Sequence, residues 1–312
     1  MPESKPAILV VGSINMDMVV RCPRLPAPGQ TVQGSSFACS PGGKGANQGV
    51  AVARLGAACR FIGRVGQDAF GGQLVETLQA EGIDCSGIAV TSGFPTGVAI
   101  VMVDSTGENS IVIAGGANLQ LTPDDIFSRE ELFEGAYFVL LQLELPLPTV
   151  RAALDMARRH GCKVILDPAP APKCLPEALC KVDVICPNAT EAESLTGQSV
   201  SEERGAKSVA SDLIARGAST AVLTLGPRGC VVVTADEHVY TVPPYKVPVA
   251  DTTAAGDAFA AALAVSLARG EKIHPAAKFA NAAGALACTK FGAQPAMPTL
   301  AEVLQLMERQ VI

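Results

Sequence analysis

Ala7-Ile8-Leu9-Val10-Val11-Gly12 is a continuous apolar run, rich in β-branched residues and closed by a glycine, as in a strand buried on both faces of a parallel sheet. Comparable runs recur at Tyr137 to Leu141, Val164 to Leu166, Val182 to Ile185 and Ala221 to Thr224. Between them lie helical stretches such as Thr149 to His160 and Glu202 to Arg216, and Gly161 and Gly217 fall where a glycine closes a helix. Strand then helix, repeated, predicts an α/β protein: a doubly wound, mostly parallel sheet with helices on both faces. Two stretches break that rhythm. Met18 to Phe37 and Thr96 to Ala114 hold short extended runs (Met18 to Arg21, Thr31 to Gln33, Val98 to Val103, Ser110 to Ile113) with Pro/Gly turns and no helix. Too short to be stable alone, they are expected to pair as one small antiparallel β lid. The expected division is 1–14, 38–95 and 115–312 for the α/β domain, with 15–37 and 96–114 for the lid.

The 312 residues are 48% hydrophobic, enough for a full core, and carry a formal net charge of −6. The absence of a Lys/Arg run and an aromatic content of only 4% argue against a nucleic-acid partner, which needs a basic surface and stacking platforms. Ten cysteines contain no C-x-x-C pair, and no His or acid completes a ligand set around Cys174, Cys180 and Cys186, so they read as reduced thiols rather than metal ligands. His160, His238 and His274 assemble no catalytic triad or metal site. With no apolar run of about 18 residues and no secretory leader, the expectation is a soluble, cytoplasmic protein that does not enter membranes.

Asp251-Thr252-Thr253-Ala254-Ala255-Gly256-Asp257-Ala258-Phe259 carries the strongest local signal. Small residues opening a helix expose unpaired backbone N–H groups at its positive end, so Ala254, Ala255, Gly256 and Asp257 form a candidate anion hole. Asp257, in the first turn, could accept the proton of a hydroxyl that attacks a phosphoryl group held there. The plainer reading is that Asp is favourable in any first helical turn.

Ser40-Pro41-Gly42-Gly43-Lys44-Gly45-Ala46-Asn47-Gln48 opens another helix. Its glycines admit a ligand close to the backbone, and Lys44 and Asn47 offer donors for hydroxyls or phosphate. It is neither a P-loop nor a dinucleotide fingerprint, because Gln48 stands where the third glycine belongs. Asn15 and Asp17 follow the first strand, where open α/β sheets bind ligands, and an amide beside a carboxylate can hold a vicinal diol. Glu144 is a further strand-end acid. Asn188 and Glu191 follow the Val182 to Ile185 run at a helix start; Glu191 could orient waters on Mg²⁺, or simply complement the helix end. Thr224-Leu225-Gly226-Pro227-Arg228-Gly229 has the form of a nucleotide-hugging loop.

Together these segments resemble the ribokinase-like (PfkB) sugar kinase family. Gly42 to Gln48 is similar to the family's first signature and Asp251 to Asp257 to its second, and the resemblance runs from about Ile8 to Leu300–Arg309. It implies a large α/β domain with a β lid, often shared across a homodimer, and ATP-dependent phosphorylation of ribose at O5. Deoxyribose, fructose or a nucleoside are the alternative acceptors, and a nucleoside would have only Phe37 and Phe94 of the lid to stack on. A non-catalytic sensor is disfavoured because Asp257 and Glu191 are both retained. By resemblance the sugar is held by Asn15, Asp17, Gly43, Lys44, Asn47, Glu144 and Asp257, and Asp257 is the general base. ATP lies across Asn188, Thr224 to Gly229 (Leu225, Gly226 and Arg228 included), Gly256 and Asn281, with Glu191 organising Mg²⁺. A monovalent cation, K⁺, is implied at Asp251 and Thr253, completed by carbonyls of Ala287, Lys290 and Gly292. Departures from the family pattern fall at Ala189, Asn281 and Ala296, the last removing one K⁺ ligand.

Overall fold

The structure, a computed structural model, describes residues 6–310. Its strands are β1 (Ala7–Val11), β2 (Asn15–Arg21), β3 (Ser36–Gly42), β4 (Ala58–Gly66), β5 (Asp84–Thr91), β6 (Gly97–Val103), β7 (Asn109–Ala114), β8 (Ala136–Leu141), β9 (Lys163–Leu166), β10 (Val184–Ile185), β11 (Thr220–Thr224), β12 (Cys230–Thr234) and β13 (Val239–Val242). Among the described residues nine strands form one sheet in the order β13-β12-β11-β10-β9-β8-β1-β4-β5, and four form another in the order β3-β2-β6-β7. From β11 to β5 all neighbours run parallel; β12 and β13 extend the edge antiparallel.

β1 sits inside the large sheet because it is apolar on both faces. Ile8 and Val10 enter the core on one side, Leu9 and Val11 the core on the other, and all four are fully buried. Each such burial contributes about 1.5–3 kcal/mol relative to exposure. Helices Lys44–Arg54, Ala69–Ala80, Ala255–Ala268, Ile273–Ala287 and Leu300–Arg309 cover the first face; Leu147–Arg159, Ala189–Thr196 and Glu203–Ala215 cover the second. The doubly wound α/β fold read from the sequence is therefore the observed one. The winding reverses at β1, with β4 on one side and β8 on the other, which opens a crevice at the carboxyl end of β1.

The second sheet stands over that crevice. Its outer pairs, β2–β3 and β6–β7, are antiparallel, while the central pair β2–β6 runs parallel, because the two segments leave the core in the same direction. The expected strand at Thr31 to Gln33 does not form. The strand is Ser36–Gly42 instead, so the lid extends past residue 37 into the glycine-rich segment. That strand shows no alternation and is mostly exposed on both faces, leaving no periodic signal to find; as an edge strand it tolerates Pro41. Among the described residues no helix is long and apolar enough to cross a membrane.

Candidate functional site

Glycines bring together the residues expected on the sugar side. Gly43 has φ +88°, and a Cβ on it would lie 2.7 Å from the Asn15 nitrogen, so only glycine turns β3 into helix Lys44–Arg54 here. A Cβ on Gly45 would lie 2.6 Å from Gly12, so the helix start rests on the end of β1. Glu144, just past β8, accepts from the Lys44 backbone N–H at 3.3 Å and from the Ser13 hydroxyl. Asn15 is fixed by Asn118, whose amide donates to Asn15 Oδ1 at 2.8 Å and accepts from the Ile14 N–H at 2.9 Å. Asn15, Asp17, Gly43, Lys44, Asn47, Glu144 and Asp257 all line one cleft of about 560 Å³ beneath the second sheet. Burial, then the carboxylates of Glu144 and Asp257, push the Asp17 carboxyl up to about 7.

Asp257 lies in the first turn of helix Ala255–Ala268 and is only 3% exposed. Its carboxylate accepts from Asn47 Nδ2 at 2.9 Å and from Gln48 Nε2 at 3.2 Å. Burial raises its pKa, and Lys44 and the two amide donors partly offset that. Burial works against the Lys44 ammonium, but Asp167, Asp257, Glu144 and Glu191 outweigh it and hold Lys44 charged, above its usual pKa.

Ala254, which precedes the helix, adopts φ +59°, a left-handed conformation that alanine rarely takes. The Ala255 N–H donates to Thr252 O at 3.3 Å, so the expected set of four amides loses one. The Gly256 and Asp257 N–H groups have no backbone acceptor among the described residues, and a Cβ on Gly256 would meet no atom within 4 Å. They stand at the positive helix end over a cavity of about 190 Å³. Lys44, Ala254 and Asp257 are shared between this cavity and the sugar-side cleft, Asn188, Thr224 and Gly256 are shared with a third cleft of about 530 Å³, and Thr252 lines all three. The three spaces therefore form one path, with Asp257 where the cavity meets the sugar-side cleft.

The third cleft is walled by Thr224, Gly226, Gly229, Asn281, Tyr245 and Phe259, among others. Two members of the expected nucleotide loop point elsewhere. Leu225 is buried in the core, and the Arg228 guanidinium donates to the carbonyls of Ser201 and Val200 at 2.7 and 2.9 Å, bracing a neighbouring loop. Asn281 donates to Pro243 O at 2.7 Å. Asn188 and Glu191 form a reciprocal capping box: Glu191 N–H to Asn188 Oδ1 at 2.9 Å, Asn188 N–H to Glu191 Oε2 at 2.8 Å. The plainer helix-end role is thus present, and it also fixes the Glu191 carboxylate on the cavity wall. Asp167, Glu191 and Asp257 all line this cavity. With Asp257 and Asp167 bonded to Gln48, Glu191 is the carboxylate that suits Mg²⁺, which keeps several waters beside one or two carboxylates and substrate phosphates.

Asp251 Oδ1 accepts from the Thr253 N–H and hydroxyl at 3.0 and 2.7 Å, and Oδ2 from the Gly292 N–H at 3.0 Å. Burial would raise its pKa, but these bonds and nearby Arg21 outweigh it and hold the carboxyl below its usual value. Asp251, Thr253 and Gly292 are therefore together. Ala287 ends the adjacent helix, and the Lys290 ammonium pairs with Glu302 at 3.0 Å.

Sequence reasoning missed Asn118, Asp167 and Phe291, and gave Gln142 no role. Asp167 carried a signal, being an acid directly after β9, at the same sheet edge as Glu144; Phe291 enters the sugar-side cleft from a loop that no pattern marked, with the Arg21 guanidinium 5.1 Å above its ring. Phe37 and Phe94, the expected stacking candidates, are 64% and 45% exposed and line none of the three spaces.

The pfkB family of carbohydrate kinases matches residues 5–300. The chain is 40% identical over 301 residues to a ribokinase of Haemophilus influenzae, covering 96% of this chain and 98% of that one. It is 34% identical to a deoxyribokinase of Salmonella typhi, over 94% of this chain and 96% of the relative. The Arabidopsis thaliana ribokinase solved with ribose and ATP superposes with a TM-score of 0.89 at 33% identity, over 98% of this chain and 99% of that one. The chain belongs to the pfkB family of carbohydrate kinases.

Proposed function

We propose that this enzyme transfers the γ-phosphoryl group of ATP to the O5 hydroxyl of ribose, with Asp257 as general base. The observation that carries the reading is a buried carboxylate where the sugar-side cleft meets the small cavity, beside helix N-terminal amides that have no backbone acceptor among the described residues. Ribose occupies the cleft of Asn15, Asp17, Gly43, Lys44, Asn47 and Glu144. Asn47 Oδ1, buried and without a partner, is an acceptor left for a sugar hydroxyl. ATP lies along the third cleft, between Asn188, Thr224, Gly226, Gly229 and Asn281. Asp257 accepts the O5 proton, and the amides of Gly256 and Asp257, with Lys44, stabilise charge on the transferring group. Mg²⁺, held through water by Glu191, supplies neutralisation of the β- and γ-phosphate oxygens.

Asp251 and the Thr253 carbonyl, with carbonyls of Ala287, Lys290 and Gly292, would hold K⁺, which when bound would fix the loop that aims these amides without touching either substrate. Potassium chloride added to buffer containing only a bulky organic cation, at constant ionic strength, should raise kcat in the parent and not in Asp251→Ala. A homodimer built through the lid is supported by Ile100 and Val112, which pair across β6–β7 and are exposed on the face opposite Val101 and Ile111 of the cleft. The ten free cysteines support a reducing, cytoplasmic setting.

The acceptor is tested by ADP release with ribose, deoxyribose, fructose and adenosine side by side. Ribose should give the highest kcat/KM. Deoxyribose ahead of ribose would favour the second reading, which the Salmonella relative motivates.

A further inference from the structure

Gln48 joins two buried carboxylates that the proposed chemistry uses only in part. Its Nε2 donates to Asp257 Oδ1 at 3.2 Å and to Asp167 Oδ2 at 3.0 Å, while its Oε1 accepts from Gln142 Nε2 at 2.6 Å. Gln48 is fully buried, Gln142 1% exposed and Asp167 6% exposed. Every hydrogen-bonding atom of the Gln48 amide is engaged. Turned over, it would set its oxygen against two carboxylates, so the carboxylates fix its orientation. We propose that Gln48 is a positioning residue for phosphoryl transfer, a bridge clamped between Gln142 and Asp167 that aims the Asp257 carboxylate and sets its basicity.

The proposal rests on Asp257 being the base. The charged groups around that carboxylate are Lys44, Glu144 and Asp17, with Asp167 across the Gln48 bridge and Glu191 beyond Lys44. Removing the Gln48 donor withdraws a hydrogen bond from the ionised form of Asp257, so its pKa must rise. Burial raises the Asp167 pKa as well, and wherever Asp167 is ionised, removing its carboxylate withdraws a like charge, so the Asp257 pKa must fall. A group that only packed the core would do neither.

The test is the pH profile of kcat at saturating Mg²⁺, ATP and ribose for Gln48→Met, Gln142→Met and Asp167→Asn. Asp257→Asn serves as control: if it keeps turnover, the base assignment fails, not the bridge alone. In Gln48→Met the acidic limb should move up by about one pH unit, the effect of one hydrogen bond to a charged group. The plateau should fall roughly tenfold from lost aim, with both KM values within about twofold of the parent. Gln142→Met leaves both donors of Gln48 in place but unclamps it, and should lower the plateau by about threefold. Asp167→Asn should move the limb down. A folded Gln48→Met with the parental limb and plateau overturns the proposal, as does Asp167→Asn shifting the limb up. Should Gln48→Met fail to fold, parental profiles in both other variants overturn it.

Discussion

Replacing Gly256 by alanine separates packing from chemistry. The glycine lies inside helix Ala255–Ala268, and a Cβ there meets no protein atom within 4 Å. The fold should therefore gain slightly, since alanine is favoured over glycine in a helix by roughly 0.5–1 kcal/mol. With an unfolding entropy of about 2.1 cal/mol/K per residue, that gain across a chain of this length raises Tm by roughly 1 °C. The new methyl, however, enters the space where Gly256 borders both the cavity and the nucleotide-side cleft. Obstructing one anion-hole donor costs at least about 10²-fold in kcat. Gly256 does not line the sugar-side cleft, so KM for ribose should stay near the parental value. Thermal melting and steady-state ADP release read the two effects separately. A variant with raised Tm and kcat within about threefold of the parent would mean the phosphoryl group lies elsewhere.

Asp257→Asn should retain ribose and ATP binding, measured by calorimetry, while kcat falls by about 10²- to 10⁴-fold. Glu191→Gln keeps a capping box and hence the melting temperature, but should raise the Mg²⁺ needed for half-maximal rate about tenfold. Asp17 has a folded-state pKa raised from 3.8 to about 7, so the folded protein binds its proton more tightly than the unfolded chain. Stability of the unliganded protein should thus fall as pH rises from about 4 to 7, and Asp17→Asn should flatten that slope in denaturant titrations across the window.

The sheet was legible because β1 and its parallel neighbours are apolar without alternation, while the helices between them keep their own period. The lid was legible only in outline. β2 and β6 carry β-branched runs, but β3 is a nearly patternless edge strand whose position is set by pairing with β2. The candidate site was readable where chain neighbours line the clefts together, as around Lys44 and Asp257. Asn118 reaches the site only through tertiary packing, over 103 residues to Asn15, and the strand-end position of Asp167 marks its sheet edge but not its bond to Gln48, 119 residues away. Leu225 and Arg228 were misread because a turn fixes where the backbone goes, not which side chains face the ligand.

The lid strands are rooted on the floor of the cleft. β2 starts at Asn15, after three residues that separate it from β1; β3 ends at Gly42, two residues before Lys44; β6 begins at Gly97, where a Cβ would collide with the Asn15 side chain at 2.2 Å. The line through these three roots is an axle, and Asn15, Asp17 and the Gly43 turn are mounted on it. A tilt of the sheet about that line would turn Asn15 and Asp17 and pull on the Gly43 turn, so the pose of the sheet and the shape of the cleft beneath it are a single mechanical coordinate. On the function proposed above, an acceptor that did not fit these side chains would resist the same rotation that shuts water out.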